Sequence, residues 1–164
     1  MPEKRIRDRA RRDRRRGRSP STQAGEFVHE EIRHVRQGKH GARSAKQAIA
    51  IGLSRARRAG VKLPPPKKEK TSVKTRAQAT RDYRAGGRHR AASPRRSRAI
   101  RAALEREGAR SASHTALSRQ AQASAQRRGG ASRRSAARKA VRTKGRAGLR
   151  MAARKAARTR AARS

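Results

Sequence analysis

The chain has 164 residues, with 50 Lys or Arg against 10 Asp or Glu, a formal net charge of +40, and only two aromatic residues, Phe27 and Tyr83. Self-repulsion on that scale opposes a compact state, and so little large apolar surface excludes a single cooperative core of ordinary domain size. Cysteine is absent, which excludes disulfides and thiolate metal sites, and no apolar run approaches the roughly 20 residues a membrane span needs.

Residues 1–20 carry ten basic and three acidic side chains. No apolar run follows the first charges, so a secretory signal is not expected. Arg11-Arg12 and Arg14-Arg15-Arg16 are the densest part, and Ile6 is the only aliphatic residue larger than Ala. The segment therefore reads as a disordered, phosphate-binding arm.

Residues 21–63 read as a helical hairpin. Ser21 or Thr22 caps the first helix, Glu26, Glu30 and Glu31 lie in its N-terminal half, and Gly38 stops it. Val28, Ile32 and Val35 stand at i, i+4, i+7 and predict its apolar stripe. The second helix is the best-formed element. Ser44 and Gln47 make an S-x-x-Q capping box, Ile49, Leu53 and Ala56 share one face, and Arg55, Arg57 and Arg58 sit where the helix dipole favours cations. Gly60 and then Pro64-Pro65-Pro66 end it. The hairpin is expected to be marginal alone and is the element through which a homodimer would form.

Residues 64–71 form a Pro/Lys linker. Residues 72–130 are a polar, partly helical basic region: a helix from Ser72 to Ala85, one begun by Ser93-Pro94 with Ile100 and Leu104, and one from Ser113 to Arg128, closed by Gly129-Gly130. Residues 131–164 hold thirteen cations and no acid. Here Ala136-Ala137-Arg138-Lys139-Ala140-Val141-Arg142-Thr143 recurs as Ala152-Ala153-Arg154-Lys155-Ala156-Ala157-Arg158-Thr159, with a joint at Gly145-Arg146-Ala147-Gly148. Alanine and arginine favour helix while uncompensated cations oppose it, so this tail reads as conditionally helical, coiling on a polyanion. The fold class expected is thus mostly α, a small helical hairpin flanked by largely disordered, Arg/Ala-rich arms.

The charge points to nucleic acid, with duplex DNA favoured over RNA and an anionic membrane a distant third. Base-stacking aromatics are missing, no RNA-recognition signature is present, and no recognition helix offers Asn or Gln for bidentate base contacts. The expected mode is sequence-independent contact with phosphates. Lys39, Arg43 and Lys46 surround the Gly38–Gly41 loop, whose N–H groups are the candidate for one phosphate cradle, and Arg55, Arg57 and Arg58 are the candidates for another contact. In the tail the candidates are Arg138, Lys139, Arg142, Lys144, Arg154, Lys155 and Arg158. His29, His34 and His40 lack the i, i+4 spacing of a helical zinc pair, so no metal and no cofactor is expected. No nucleophile–base pattern supports an enzyme.

The stretch from Ser21-Thr22-Gln23-Ala24-Gly25-Glu26-Phe27 through Lys39-His40-Gly41, followed by Lys46-Gln47-Ala48-Ile49-Ala50-Ile51-Gly52-Leu53-Ser54-Arg55-Ala56-Arg57, resembles a family of small, basic, uncharacterised bacterial proteins often labelled DNA-binding proteins. K-Q-A-I-A-I-x-L-S-x-A-R is the most specific string, and the likeness covers about residues 21–66. The tail is similar in composition to bacterial linker-histone-like proteins. These resemblances imply a bacterial, cytoplasmic, nucleoid-associated, histone-like protein. The alternative is an RNA- or ribosome-associated basic protein.

Overall fold

The computed structural model describes residues 2–68, 71–87 and 93–162. Glu69 and Lys70 of the linker, residues 88–92 of the basic region, and Arg163 and Ser164 of the tail lie outside the described residues. Among the described residues the regular structure is helical, with no strand. In order these are α1 (Pro2–Arg15), α2 (Pro20–Arg36), α3 (Ala45–Arg58), α4 (Val73–Arg84), α5 (Pro94–Glu105), a 3-10 turn (Ala109–Ala112), α6 (His114–Arg127) and α7 (Gly129–Ala161). The chain divides into two units, Met1–Gln120 and Ala121–Ser164.

The first unit is built on the pairing of α2 with α3. Ser19, not Ser21 or Thr22, caps α2: its side chain accepts from the Thr22 N–H, and Pro20 takes the first helical position. The helix ends where expected, with Gly38 at φ +67° and the Lys39 N–H returning to the His34 carbonyl. Ser44 caps α3 by accepting from the Gln47 N–H at 3.2 Å. Gln47 Oε1 in turn accepts from Arg43 at 2.7 Å, one residue earlier than a standard capping box. Gly60 and the Val61 N–H close the other end of α3 in the same way as Gly38 and Lys39 close α2.

The buried faces differ from the predicted stripes. On α2 the buried residues are Gln23, Ala24, Phe27, Glu30, Glu31 and Val35, while Val28 and Ile32 are half-buried. On α3 they are Ala45, Ala48, Gly52, Ala56 and Arg57, while Ile49 and Leu53 are half-buried. The reason is the closeness of the two backbones. A Cβ on Gly52 would stand 2.7 Å from the Val28 Cα, so the seam selects small residues and turns the branched ones to its flanks. Two small apolar clusters result. One joins Ile6, Ala10, Ala24, Phe27, Ala56 and Val61, and the other joins Val35, Ala42, Ala48 and Ala112.

Residues 1–20 are not a disordered arm. They form α1, which packs on α2. Ile6 and Ala10, four apart on one face, are both 5% exposed and belong to the Phe27 cluster. Arg9 reaches Glu26 at 3.6 Å, and Arg18 folds back on Asp13 at 3.3 Å. A single isoleucine suffices because it meets the chain's one phenylalanine. α4 lies against α3, where Ser54 donates to Asp82 at 2.5 Å and Ala79 is buried. The α2–α3 loop is fastened to the end of α5 and the 3-10 turn by Gly41 N–H to Leu104 O and Ala42 N–H to Gly108 O.

In the second unit the tail is helical rather than disordered. Its alanines and arginines have high helix propensity, and its cations stand in water, where mutual repulsion is screened. Gly145, at φ 66° and ψ 169°, breaks α7 at the joint between the two repeat copies. The copies are structurally alike: Thr143 donates to Lys139 O at 2.8 Å and Thr159 to Lys155 O at 2.9 Å.

Two substitutions test these packings. Gly52→Leu should force α2 and α3 apart and cost about 1–3 kcal/mol, read as a lower midpoint in thermal unfolding followed by circular dichroism. Ile6→Asp should cost about 2 kcal/mol or more if α1 is part of the folded unit, and should leave the midpoint unchanged if it is not.

Candidate nucleic-acid interface

The carboxylates are concentrated in the first unit, where they meet cations. Glu26, Glu30, Glu31, Asp13 and Glu107 each lie within 4.0 Å of a cationic group there, whereas α7 has no acidic residue. The first unit thus neutralises part of its own charge, and the second neutralises none.

The six candidate cations of the second helix and its approach divide into two that turn inward, Arg55 and Arg57, and four that are exposed. Arg55 Nη1 donates to Glu31 Oε2 at 2.8 Å, inside the α2–α3 seam. Arg57 is 8% exposed, and its guanidinium donates from Nε to Leu63 O at 3.2 Å and from Nη2 to Pro64 O at 3.3 Å. Burial holds the Arg57 pKa below its ordinary value, against the pull of nearby Asp82. These two arginines are therefore structural and not part of an outward phosphate contact, because their donors are already engaged, one by a buried carboxylate and the other by two backbone carbonyls. Arg58, next in sequence, is exposed, as are Lys39, Arg43 and Lys46. Arg43 also lies 3.4 Å from Glu107.

The loop of residues 38–43 is not an open phosphate cradle. The N–H groups of Gly38, Lys39, Gly41, Ala42 and Arg43 donate to Val35 O, His34 O, Leu104 O, Gly108 O and Gln47 Oε1 respectively. A Cβ on Gly41 would overlap the Glu107 backbone, so this glycine serves close packing rather than anion access.

On α7, Arg138, Lys139, Arg142, Lys144, Arg154, Lys155 and Arg158 are all exposed. Arg134, Arg138 and Arg142 repeat every four residues before the break at Gly145, and Arg150, Arg154 and Arg158 do so after it. Each set is a row of three cations on one helical face, about 6 Å apart along the axis.

A different cluster lies buried beside the seam. Glu31 is 1% exposed, and one oxygen is paired with Arg55. Its other oxygen, Oε1, is buried without a hydrogen bond, 3.4 Å from His40 Nε2. His34 Nε2 is likewise buried without a hydrogen bond, although Glu30 Oε1 is 3.0 Å away. Distance alone would make that a bond; its angle does not. Burial lowers the pKa of His34; the Glu30 carboxylate opposes this, and Lys39 and Arg55 add to it. Burial raises the Glu30 pKa, but hydrogen bonding and charge from Arg33, with His34, outweigh this and leave it below the ordinary value. Sequence reading missed this grouping. The signal was Glu31-x-x-His34 on one helical face, with Gly38 turning the chain so that His40 returns to it. His29 is exposed and stands apart.

Residues 17–68 match DUF6496, a family of unknown function. The match contains α2, α3 and the start of the linker, the stretch that carries the sequence resemblance, and gives it no activity. No curated protein and no solved structure matches the chain. Among the described residues no helix is long and apolar enough to cross a membrane.

Adjacent arginines offer a direct check. Arg57→Met removes the buried guanidinium that donates to the Leu63 and Pro64 carbonyls and should cost about 1–3 kcal/mol. Arg58→Met should change stability by no more than about 0.5 kcal/mol. Urea titrations of the two variants would reveal the difference, and equal midpoints would contradict the structural role of Arg57.

Proposed function

We propose that this chain binds duplex DNA without sequence preference, in the manner of a histone-like, nucleoid-associated protein, through Arg/Lys–phosphate contacts. The observation that carries the reading is the acid-free, exposed cationic surface of α7 within a chain of net charge +40. Such a surface gains affinity by releasing the counterions condensed on a polyanion, and α7 offers no Asn or Gln for bidentate contacts to adenine. The contacts are Lys39, Arg43, Lys46 and Arg58 on the first unit, and Arg138, Lys139, Arg142, Lys144, Arg154, Lys155 and Arg158 on the second.

The two regions have different parts in this reading. The α1–α3 unit is the folded anchor, and its inward arginines hold it together. The two rows on α7 supply most of the phosphate contacts. Gly145 lets each row follow its own stretch of backbone, because the helix is interrupted there rather than rigid through the joint.

Replacing Arg138, Lys139, Arg142, Arg154, Lys155 and Arg158 by Gln in the full chain keeps helix propensity while removing six cations. The slope of log affinity against log salt for a duplex oligonucleotide should fall by up to about 5, since each neutralised phosphate contributes roughly 0.9. An unchanged slope would remove α7 from the interface. Competition with structured RNA at one salt concentration completes the test: preference for RNA would replace this reading with that of an RNA- or ribosome-associated protein.

A further inference from the structure

We infer that Glu31, His34 and His40 form a binding site for one divalent zinc-class metal ion, which clasps the α2–α3 loop to α2. Each of the three residues presents one ligand atom, and these atoms lie within 4.8 Å of one another. The donor set, two imidazoles and a carboxylate, is that of a three-ligand zinc site with a fourth position for water.

The proton pattern at His40 makes the case sharper. Its Nδ1 lies 3.1 Å from the Gly41 carbonyl oxygen, which can only accept, so Nδ1 is the protonated nitrogen. In the neutral ring Nε2 then has a lone pair, and that lone pair is next to Glu31 Oε1, another acceptor, at 3.4 Å. Two acceptors held together out of water repel unless a proton or a metal ion stands between them, and this contact does not have hydrogen-bond geometry. Neither a hydrogen bond to Oε1 nor solvent relieves this oxygen. A metal ion would. Ligand atoms about 3.4 Å apart are the edge of a tetrahedron with metal–ligand bonds of about 2.1 Å.

The surroundings are those of a supported site. The His40 Nδ1–H to Gly41 O contact fixes the ring tautomer, as partners of metal-bound histidines do. Arg55 holds the second Glu31 oxygen, leaving Oε1 to point to the imidazoles. Glu30 stands beside His34 and offsets the charge of Lys39 and Arg55 near the cluster. His34 belongs to α2 and His40 to the loop, so a shared ion would tie the two segments, and through Gly41 and Ala42 the ends of α5 and the 3-10 turn. This inference does not depend on the nucleic-acid reading.

The test uses the full chain, freed of nucleic acid and metals, titrated with cobalt(II) and then zinc. One ion per chain should bind, and cobalt should give the intense visible absorption of tetrahedral coordination, displaced by zinc. His40→Ala, a loop change that leaves the helices intact by circular dichroism, should weaken binding at least about tenfold. Glu31→Gln should do the same, and zinc should raise the thermal midpoint of the unaltered chain but of neither variant. His29→Ala with His114→Ala, both at exposed positions, should bind as the unaltered chain does. Binding that survives in His34→Ala with His40→Ala, or no binding by the unaltered chain beyond that of this double variant, would overturn the site.

Discussion

A chain with forty excess positive charges has few large apolar groups to bury and many cations to keep apart, so its core depends on how closely two backbones approach. At Gly52 that approach leaves no room for a side chain against Val28. Ala45, Ala48 and Ala56 continue the same seam. Small residues give little transfer free energy each, but close contact recovers dispersion along the whole length of the pair. α1, α4 and the 3-10 turn pack on this pairing. α1 is held by Phe27 on one side of it, and the α2–α3 loop carries the Gly41 and Ala42 contacts that fasten the 3-10 turn and the end of α5.

The seam also separates two uses of arginine. Arg55 and Arg57 face inward and act as hydrogen-bond donors, one to a buried carboxylate and one to the carbonyls that begin the proline linker. The planar, multiply donating guanidinium suits both tasks, and a lysine would satisfy neither geometry as well. The arginines of α7 have no acidic residue within their own helix to meet. In the proposed function, their energetic value lies in a partner that supplies negative charge. The acidic residues reinforce the division: they neutralise the folded unit and leave the tail cationic.

Local chemistry was legible in the sequence. Ser44, Ser72 and Ser113 begin α3, α4 and α6, Gly38 and Gly60 end α2 and α3, and Gly145 breaks α7, because caps and positive-φ turns are decided within a few residues. What depended on distant contacts was not. Ile6 looked isolated because its partner Phe27 lies 21 positions on. The apolar stripes were misplaced because periodicity was read from the largest residues, whereas the close seam required the smallest. The Glu31–His34–His40 grouping escaped notice because only one of its spacings is helical and the other is set by a turn. Arg57 and Arg58 are indistinguishable as letters. Only the path of residues 63–64 past the helix end makes one of them structural.

The central claim is that the cations divide into an inward set that builds the fold and an outward set that meets DNA. Arginine-specific chemical modification, mapped residue by residue with and without a duplex oligonucleotide, measures that division directly. The account predicts that Arg57 stays unreactive and Arg55 nearly so in both conditions, while Arg58, Arg138, Arg142, Arg154 and Arg158 react in the chain alone and are shielded by DNA. Ready modification of Arg57 in the chain alone, or α7 arginines that react equally with and without DNA, would contradict it.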